Sequence, residues 1–299
     1  MKQVVSVSLG SSRRDSDVEV ELAGHRLHIR RIGTDGDPAK ALELIERLDG
    51  TVDCFGLGGG DRYLVAGNRR YEMKAMARLA RAARRTPVVD GSGFKETLEP
   101  HLLRRLVETG QLDVRGRETL LVSAVDRPGM ARVLPELGAR VTYGDLIFAL
   151  GVSIPLHSPR VISFLGMLVL PVLCRMPMSV VYPTGDKQDS SVAKYNKYFH
   201  RAQVVAGDFH FIRRYLPPHM DGRTVITNTI TADDVTLLRA AGISRLITTT
   251  PAFGERSFGT NVMEAVLVAI SNRRPEELSG QDYLELLQRL GLSPRVIDL

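Results

Sequence analysis

TLLVSAVDRPGMARVLPELGARVTYGD, residues 119–145, holds the pattern on which the fold is decided. Residues 120–122 and 140–143 are short apolar runs, and Pro128 suits the first turn of a helix between them. Strand, helix and strand in that order predict a right-handed parallel crossover, the unit of a mononucleotide-binding half. The end of its first strand and the helix N-terminus face one crevice, where backbone N–H groups favour an anion. The turn there runs Ala124-Val125-Asp126-Arg127-Pro128-Gly129, which makes Ala124, Val125, Arg127 and Gly129 candidate cofactor contacts. Gly129 is its one glycine, the point where a ligand can approach the backbone closely. Asp126 opposes a phosphate unless Arg127 offsets it. Asp145 closes the second strand about 20 residues from the turn, the spacing at which a carboxylate binds a ribose hydroxyl and favours NAD over NADP. An ordinary unit without a nucleotide fits the same residues, because the turn lacks a run of glycines.

Downstream, residues 179–182, 203–206, 224–226 and 245–247 read as strands, and residues 233–241 as a helix capped by Thr231 and ended by Gly242. Strands alternating with helices predict an α/β fold, with a mostly parallel, Rossmann-like sheet over residues 115–299. Its ligands belong at the carboxyl ends of the strands, in the hydroxyl-rich loops 183–187, 207–208, 227–229 and 248–251. Thr227 and Asn228 therefore join the candidate cofactor contacts.

Upstream, residues 1–114 read as a smaller α/β substrate domain. A strand over residues 2–9 runs into Gly10-Ser11-Ser12-Arg13-Arg14, where Ser11, Ser12 and Arg13 can hold a carboxylate or simply form a polar turn. Residues 18–22 and 26–32 alternate as a hairpin, and Asp37 with Pro38 starts a helix over residues 39–48. A strand at 52–55 leads to the glycine-dense Gly56-Leu57-Gly58-Gly59-Gly60-Asp61. A hairpin, not a helix, follows it, which argues that Gly58 and Gly59 form a substrate wall and not a dinucleotide loop. Residues 74–85 read as a helix and 86–90 as a strand ending in Asp90. Residues 91–96 read as a flexible loop carrying Lys95, followed by a helix over 98–108 and a polar boundary segment.

At 299 residues and 43% apolar content the chain can bury a large core. Cys54 and Cys174 stand far apart without metal-ligand spacing, which argues against a disulfide framework and against a metal site and fits a reducing cytoplasm. The longest apolar stretch, residues 161–174, falls short of the ~20 residues a membrane span needs and is expected to be buried. A net charge of +6 favours a small anionic ligand, while arginine pairs without interleaved aromatics argue against nucleic acid. Oligomeric state is left open.

Taken in this order, the chain resembles the shikimate and quinate dehydrogenases, and its SVSLGSSRRD opening and late TTTPAFGERSFGTNVMEA resemble a bacterial group carried under the name quinate 5-dehydrogenase. Ser6, Ser8, Ser11 and Ser12 stand where the family binds its substrate carboxylate. PVVDGSGFKE resembles the segment ending in the family's catalytic lysine, here Lys95, with Asp90 as its nearest carboxylate. GTNVMEAVLVA resembles the late helix that returns to the substrate. The resemblance implies an oxidoreductase that passes a hydride between NAD or NADP and a ring hydroxyl of a polyhydroxy carboxylic acid. Partial burial of Lys95 would lower its pKa for proton transfer, while Asp90 pulls the other way, so position decides. A solvated loop lysine is the plainer reading of Lys95. A small-molecule-binding regulatory protein, or a nucleotide-dependent transferase using the Gly56 loop, fits the residues as well.

Overall fold

The computed structural model describes residues 1–176, 194–253 and 256–299, so the strand expected at 179–182 and the loop at 183–187 lie outside the described residues. The first half builds a five-stranded sheet. Strand β1 (Lys2–Ser8) enters it, β2 (Ser16–Leu22) and β3 (His25–Gly33) form the expected hairpin, and β4 (Cys54–Gly58) follows. The small hairpin β5 (Tyr63–Ala66) and β6 (Arg69–Glu72) stands apart, and β7 (Val88–Val89) completes the sheet in the order β2-β3-β1-β4-β7. All neighbours but β2 and β3 are parallel. Five successive residues of β1, Val4 to Ser8, are buried, as expected of a parallel strand covered on both faces.

The second sheet follows the opening stretch closely. β8 (Glu118–Leu121), a helix Pro128–Glu136 with Pro128 in its first turn, and β9 (Arg140–Tyr143) form the parallel crossover. The chain then crosses to the other side of β8 and adds β10 (Val204–Ala206), β11 (Thr224–Thr227) and β12 (Arg245–Thr248), all parallel. After the two-residue strands β13 (Ala252–Phe253) and β14 (Arg256–Ser257), β15 (Arg295–Asp298) pairs antiparallel at the edge. The order is β15-β12-β11-β10-β8-β9. Strand order reverses between β8 and β10, so the crevice outside their carboxyl ends is the expected ligand position. Thr231 caps the helix Ala232–Ala240 through a capping box with Asp234.

Three elements depart from expectation. The helix from Lys74 stops at Ala80, because Asp49 accepts the amides of Arg84, Arg85 and Thr86 and draws the chain away. Residues 94–98, expected as loop, form a π-helical turn anchored by fully buried Phe94 and Leu98. The helix Pro159–Leu173, expected to be buried, packs Ile162, Gly166 and Leu170 inward. It leaves Phe164, Leu168 and Val172 about 60% exposed. The helix Thr260–Ser271, although it follows the second sheet's parallel strands, packs its apolar side chains with Val4, Leu27, Ile29 and Cys54 of the first sheet. Its N-terminus thereby reaches the carboxyl ends of both sheets. Both cysteines are free and buried. Among the described residues no helix is long and apolar enough to cross a membrane.

Candidate functional site

The carboxyl ends of β4, β7, β8, β10 and β11 converge on one cavity of about 100 Å³. Gly58, Gly59 and Gly60 form one wall of it. Gly59 has φ +79°, and a Cβ there would come within 2.7 Å of the Gly10 and Leu9 amide nitrogens, so only glycine lets β4 turn against the end of β1. Asp61, next in sequence, faces Lys95 across the cavity.

Lys95 carries the centre of the site. Its Nζ is ion-paired with Asp61 Oδ1 and, at 2.5 Å, with Asp126 Oδ1. Asp90, expected to be its partner, instead accepts the backbone amides of Arg62, Tyr63 and Ser92, so it shapes the chain on both sides of the cleft. Burial alone would bring the lysine down, but Asp126 and Asp61 more than offset it and hold it above its ordinary value. The expected depression is therefore reversed. Burial pushes Asp61 well above the usual carboxylate range, and the charge of Asp126 adds to that. Asp126 goes the other way: Lys95 and Arg127 overcome its burial and hold it low. Two carboxyl groups forced apart around one ammonium give a proton donor and a proton acceptor side by side.

Arg127, expected to face a phosphate, is fully buried. It donates to Glu99 at 2.5 Å and Asp208 at 3.0 Å, and pairs with Asp126 at 3.2 Å. It ties helix Glu99–Glu108 to the ends of β8 and β10, with one donor committed to each of three carboxylates. Asp145 is buried too, accepting the amides of Ala124 (2.9 Å) and Val125 (3.0 Å). Those are the N–H groups a phosphate would need. Burial raises the Asp145 carboxyl to about 6. A Cβ on Gly129 would lie 2.1 Å from the Lys95 carbonyl oxygen and 2.7 Å from Pro100, so that glycine serves helix-to-helix packing and not ligand approach. Thr227 spends its hydroxyl on the Gly207 carbonyl at 2.8 Å. The residues present at this turn do not fit the pyrophosphate of NAD or NADP, and the argument that Asp145 selects NAD falls with its hydrogen bonds. Ala124, Val125 and Gly129 line a separate recess of about 660 Å³ against the β5–β6 hairpin.

Asn228, Gly58 and Gly59 do line the cleft, whereas Ser11, Ser12 and Arg13 do not. Ser11 caps the short turn Ser12–Arg14, and Ser12 and Arg13 face solvent. Arg14 is the residue that crosses, its Nη1 3.1 Å from His210 Nε2 and its Nη2 3.4 Å from Asp234. Burial, with the Arg14 charge beside it, lowers His210 to about 4. Asp61, Asp126, Asp208, His210 and Thr260 also line the cleft; the sequence reading placed the three aspartates in strand-end loops without a role in the site and did not name His210 or Thr260. The one available signal was position, since each but Thr260 follows a parallel strand's carboxyl end.

Glu264, on the late helix, is buried behind the Lys95 turn and accepts the Tyr283 hydroxyl at 3.0 Å. Burial and the charge of Asp90 raise it to about 8 from 4.5. A folded value above the unfolded one means that its contribution is fully present below about pH 4.5 and is lost as pH rises through 8. Glu264→Gln, which keeps the tyrosine's acceptor, should flatten the melting temperature across that window. An unchanged slope between pH 5 and 8 would remove Glu264 as its source.

Fold and site together define a two-sheet α/β protein with a buried ionic cluster in the cleft where the strand ends meet. Residues 93–299 match the family described as a domain of unknown function, DUF8754, and the chain belongs to it; residues 3–90 match a second such domain, DUF8753. No curated protein matches the sequence. Solved structures similar to this chain include a sugar ABC transport system substrate-binding protein from Bordetella parapertussis, at 14% identity over 93% of this chain and 82% of that one, TM-score 0.33. A putative malic enzyme (malate oxidoreductase) is 12% identical over 97% of this chain and 84% of that one, TM-score 0.37. The bifunctional enzyme FolD from Campylobacter jejuni is 11% identical over 91% and 89%, TM-score 0.34. Among the described residues no group of histidine, cysteine and carboxylate side chains is placed to hold a metal ion.

Proposed function

We propose that the protein is an enzyme acting on a small hydroxylated ligand, and that the Lys95 cluster moves the proton of one ligand hydroxyl. One observation carries this reading: a buried ammonium held between a carboxyl pushed up and a carboxylate held down, all three lining the cleft. Asp126 accepts the proton and gives it back in the reverse step, Lys95 holds the charge that develops on oxygen, and the Asp61 carboxyl is a second proton donor beside them. A buried ion pair adds little to stability for its cost, which makes a purely structural reason for this cluster the weaker one.

A second reading, an oxidoreductase of the shikimate and quinate dehydrogenase kind, is supported by Lys95 standing opposite the switch point between β8 and β10. NAD or NADP would supply the hydride acceptor there, and the misfit of the 124–129 turn counts against it. Incubating the protein with a panel of polyols, sugars and hydroxy acids, with NAD, with NADP and with neither, and following products by NMR tests both. Turnover without nucleotide supports the first reading, and turnover only with nucleotide the second. Ligand binding with no turnover in any arm would sink both and leave a binding protein.

A further inference from the structure

We infer that the ligand of this cleft is a neutral polyhydroxylated molecule, a polyol or a sugar, and not the small anion that the basic composition suggests. The inference rests on the cleft being the ligand site, as proposed above.

The argument is a census of what the cleft wall can still bond. Four carboxyl side chains line it, Asp61, Asp90, Asp126 and Asp208, and two cations, Lys95 and Arg127. Both cations are already paired with acids of the protein. Lys95 serves Asp61 and Asp126, and Arg127 serves Glu99, Asp126 and Asp208. The nearest further arginines are spent as well, Arg14 on His210 and Asp234, and Arg31 on Asp15, Ser8 and the Ser11 carbonyl. His210 is held neutral by its burial and by Arg14. Among the described residues lining the cleft, four carboxyl groups stand against two paired cations, so the wall offers an incoming anion no excess of positive charge. Bringing one in would desolvate it against like charge, and that rejects anions by design of the wall.

The groups left over are neutral. Asn228 is 4% exposed and lines the cleft. Its Oδ1 lies 3.3 Å from the Thr227 hydroxyl, whose proton goes to the nearer Gly207 carbonyl, while no hydrogen bond from its Nδ2 is found among the described residues. Thr260, 3% exposed at the start of the late helix, also lines the cleft, and its hydroxyl has no partner among the described residues. Both atoms open on the cleft and are not sealed in the core, which leaves each able to bond a ligand there. Two neutral donors facing carboxylate acceptors suit groups that both donate and accept, which is what an alcohol does and a carboxylate does not. The serines that would otherwise hold an acid do not line the cleft: Ser6 accepts from Asn261 at 2.9 Å, and Ser8 from Arg31 and the Gly10 amide at 3.1 Å.

Matched pairs test this: myo-inositol against quinate, and D-glucose against D-gluconate, by thermal shift and titration calorimetry near neutral pH. A neutral member of a pair is expected to bind about tenfold or more tightly than its acid, with little dependence on salt. Asn228→Ala and Thr260→Ala should each weaken it by about tenfold, the loss of one buried hydrogen bond. An acid that binds as tightly as its neutral partner would overturn the inference, and so would failure of every neutral probe to bind at on the order of 10 mM. If the neutral probe binds but Lys95→Met leaves turnover intact, the proton-transfer reading falls and this one stands.

Discussion

Arg127→Met should lower stability by about 3–5 kcal/mol, the cost of removing one partner from a buried ionic network. The guanidinium is fully buried and serves three carboxylates from three segments, Glu99, Asp126 and Asp208. Glu99 is the residue that decides the size of the effect. It is 0% exposed, and without Arg127 only the Thr249 hydroxyl, 3.0 Å from Oε1, remains to it among the described hydrogen bonds. Burial already raises its carboxyl, and losing the cation would push it further up, so the variant should recover more stability from Glu99 on acidification than the parent does. Methionine fills much of the volume, which keeps a cavity from accounting for the loss. Adding Glu99→Gln to Arg127→Met should restore part of it, because the orphaned charge is gone. Chemical denaturation of the four proteins of this cycle measures both terms. Additivity of the two single changes would show that they do not share a network.

What could be read from sequence and what could not divide along physical lines. The crossover at residues 119–145 was legible because apolar runs, Pro128 and the strand spacing are local signals, and β8, helix and β9 follow them. The role of Arg127 was not, since a lone arginine after a strand carries no mark of the three carboxylates that enclose it, two of them 28 and 81 residues away. Lys95 was singled out correctly as a cleft residue, but its partners lie 34 and 31 residues away in Asp61 and Asp126. Asp90, five positions before it, was the nearer carboxylate in sequence alone. The direction of the lysine's shift turned on that error: burial without partners lowers an ammonium, and two carboxylates reverse it. Composition misled in a similar way. A net charge of +6 describes the whole surface, whereas the cleft wall spends every cation it has on its own acids. The exposed stripe on helix Pro159–Leu173 escaped because an unbroken apolar run looks the same whether one face or all of it is covered.

Lys95→Met should leave ligand affinity within a few-fold and lower turnover by ~10² to 10⁴, the range for a lost acid–base group. The separation of the two effects follows from the neighbours. Removing the ammonium leaves Asp61, whose carboxyl burial already pushes up, beside Asp126, which keeps Arg127 at 3.2 Å. No charge is stranded as Glu99 would be, so this variant should cost less stability than Arg127→Met even though Lys95 is equally enclosed. Turnover is another matter. Without the cation, the negative charge that develops as the ligand hydroxyl gives up its proton loses its nearest counter-charge, and the rise of Asp126 toward the ordinary carboxylate range offsets only part of that loss. Asp61→Asn supplies the control: it preserves the Lys95–Asp126 pair at 2.5 Å, removes only the returnable proton, and should show a comparable loss of turnover with the fold intact. Single-turnover and steady-state rates over a pH series, measured on whichever hydroxylated ligand is converted, read these effects. Wild-type rates in Lys95→Met would take the lysine out of the chemistry, and wild-type rates in Asp61→Asn would leave Lys95 and Asp126 to act without a second acid.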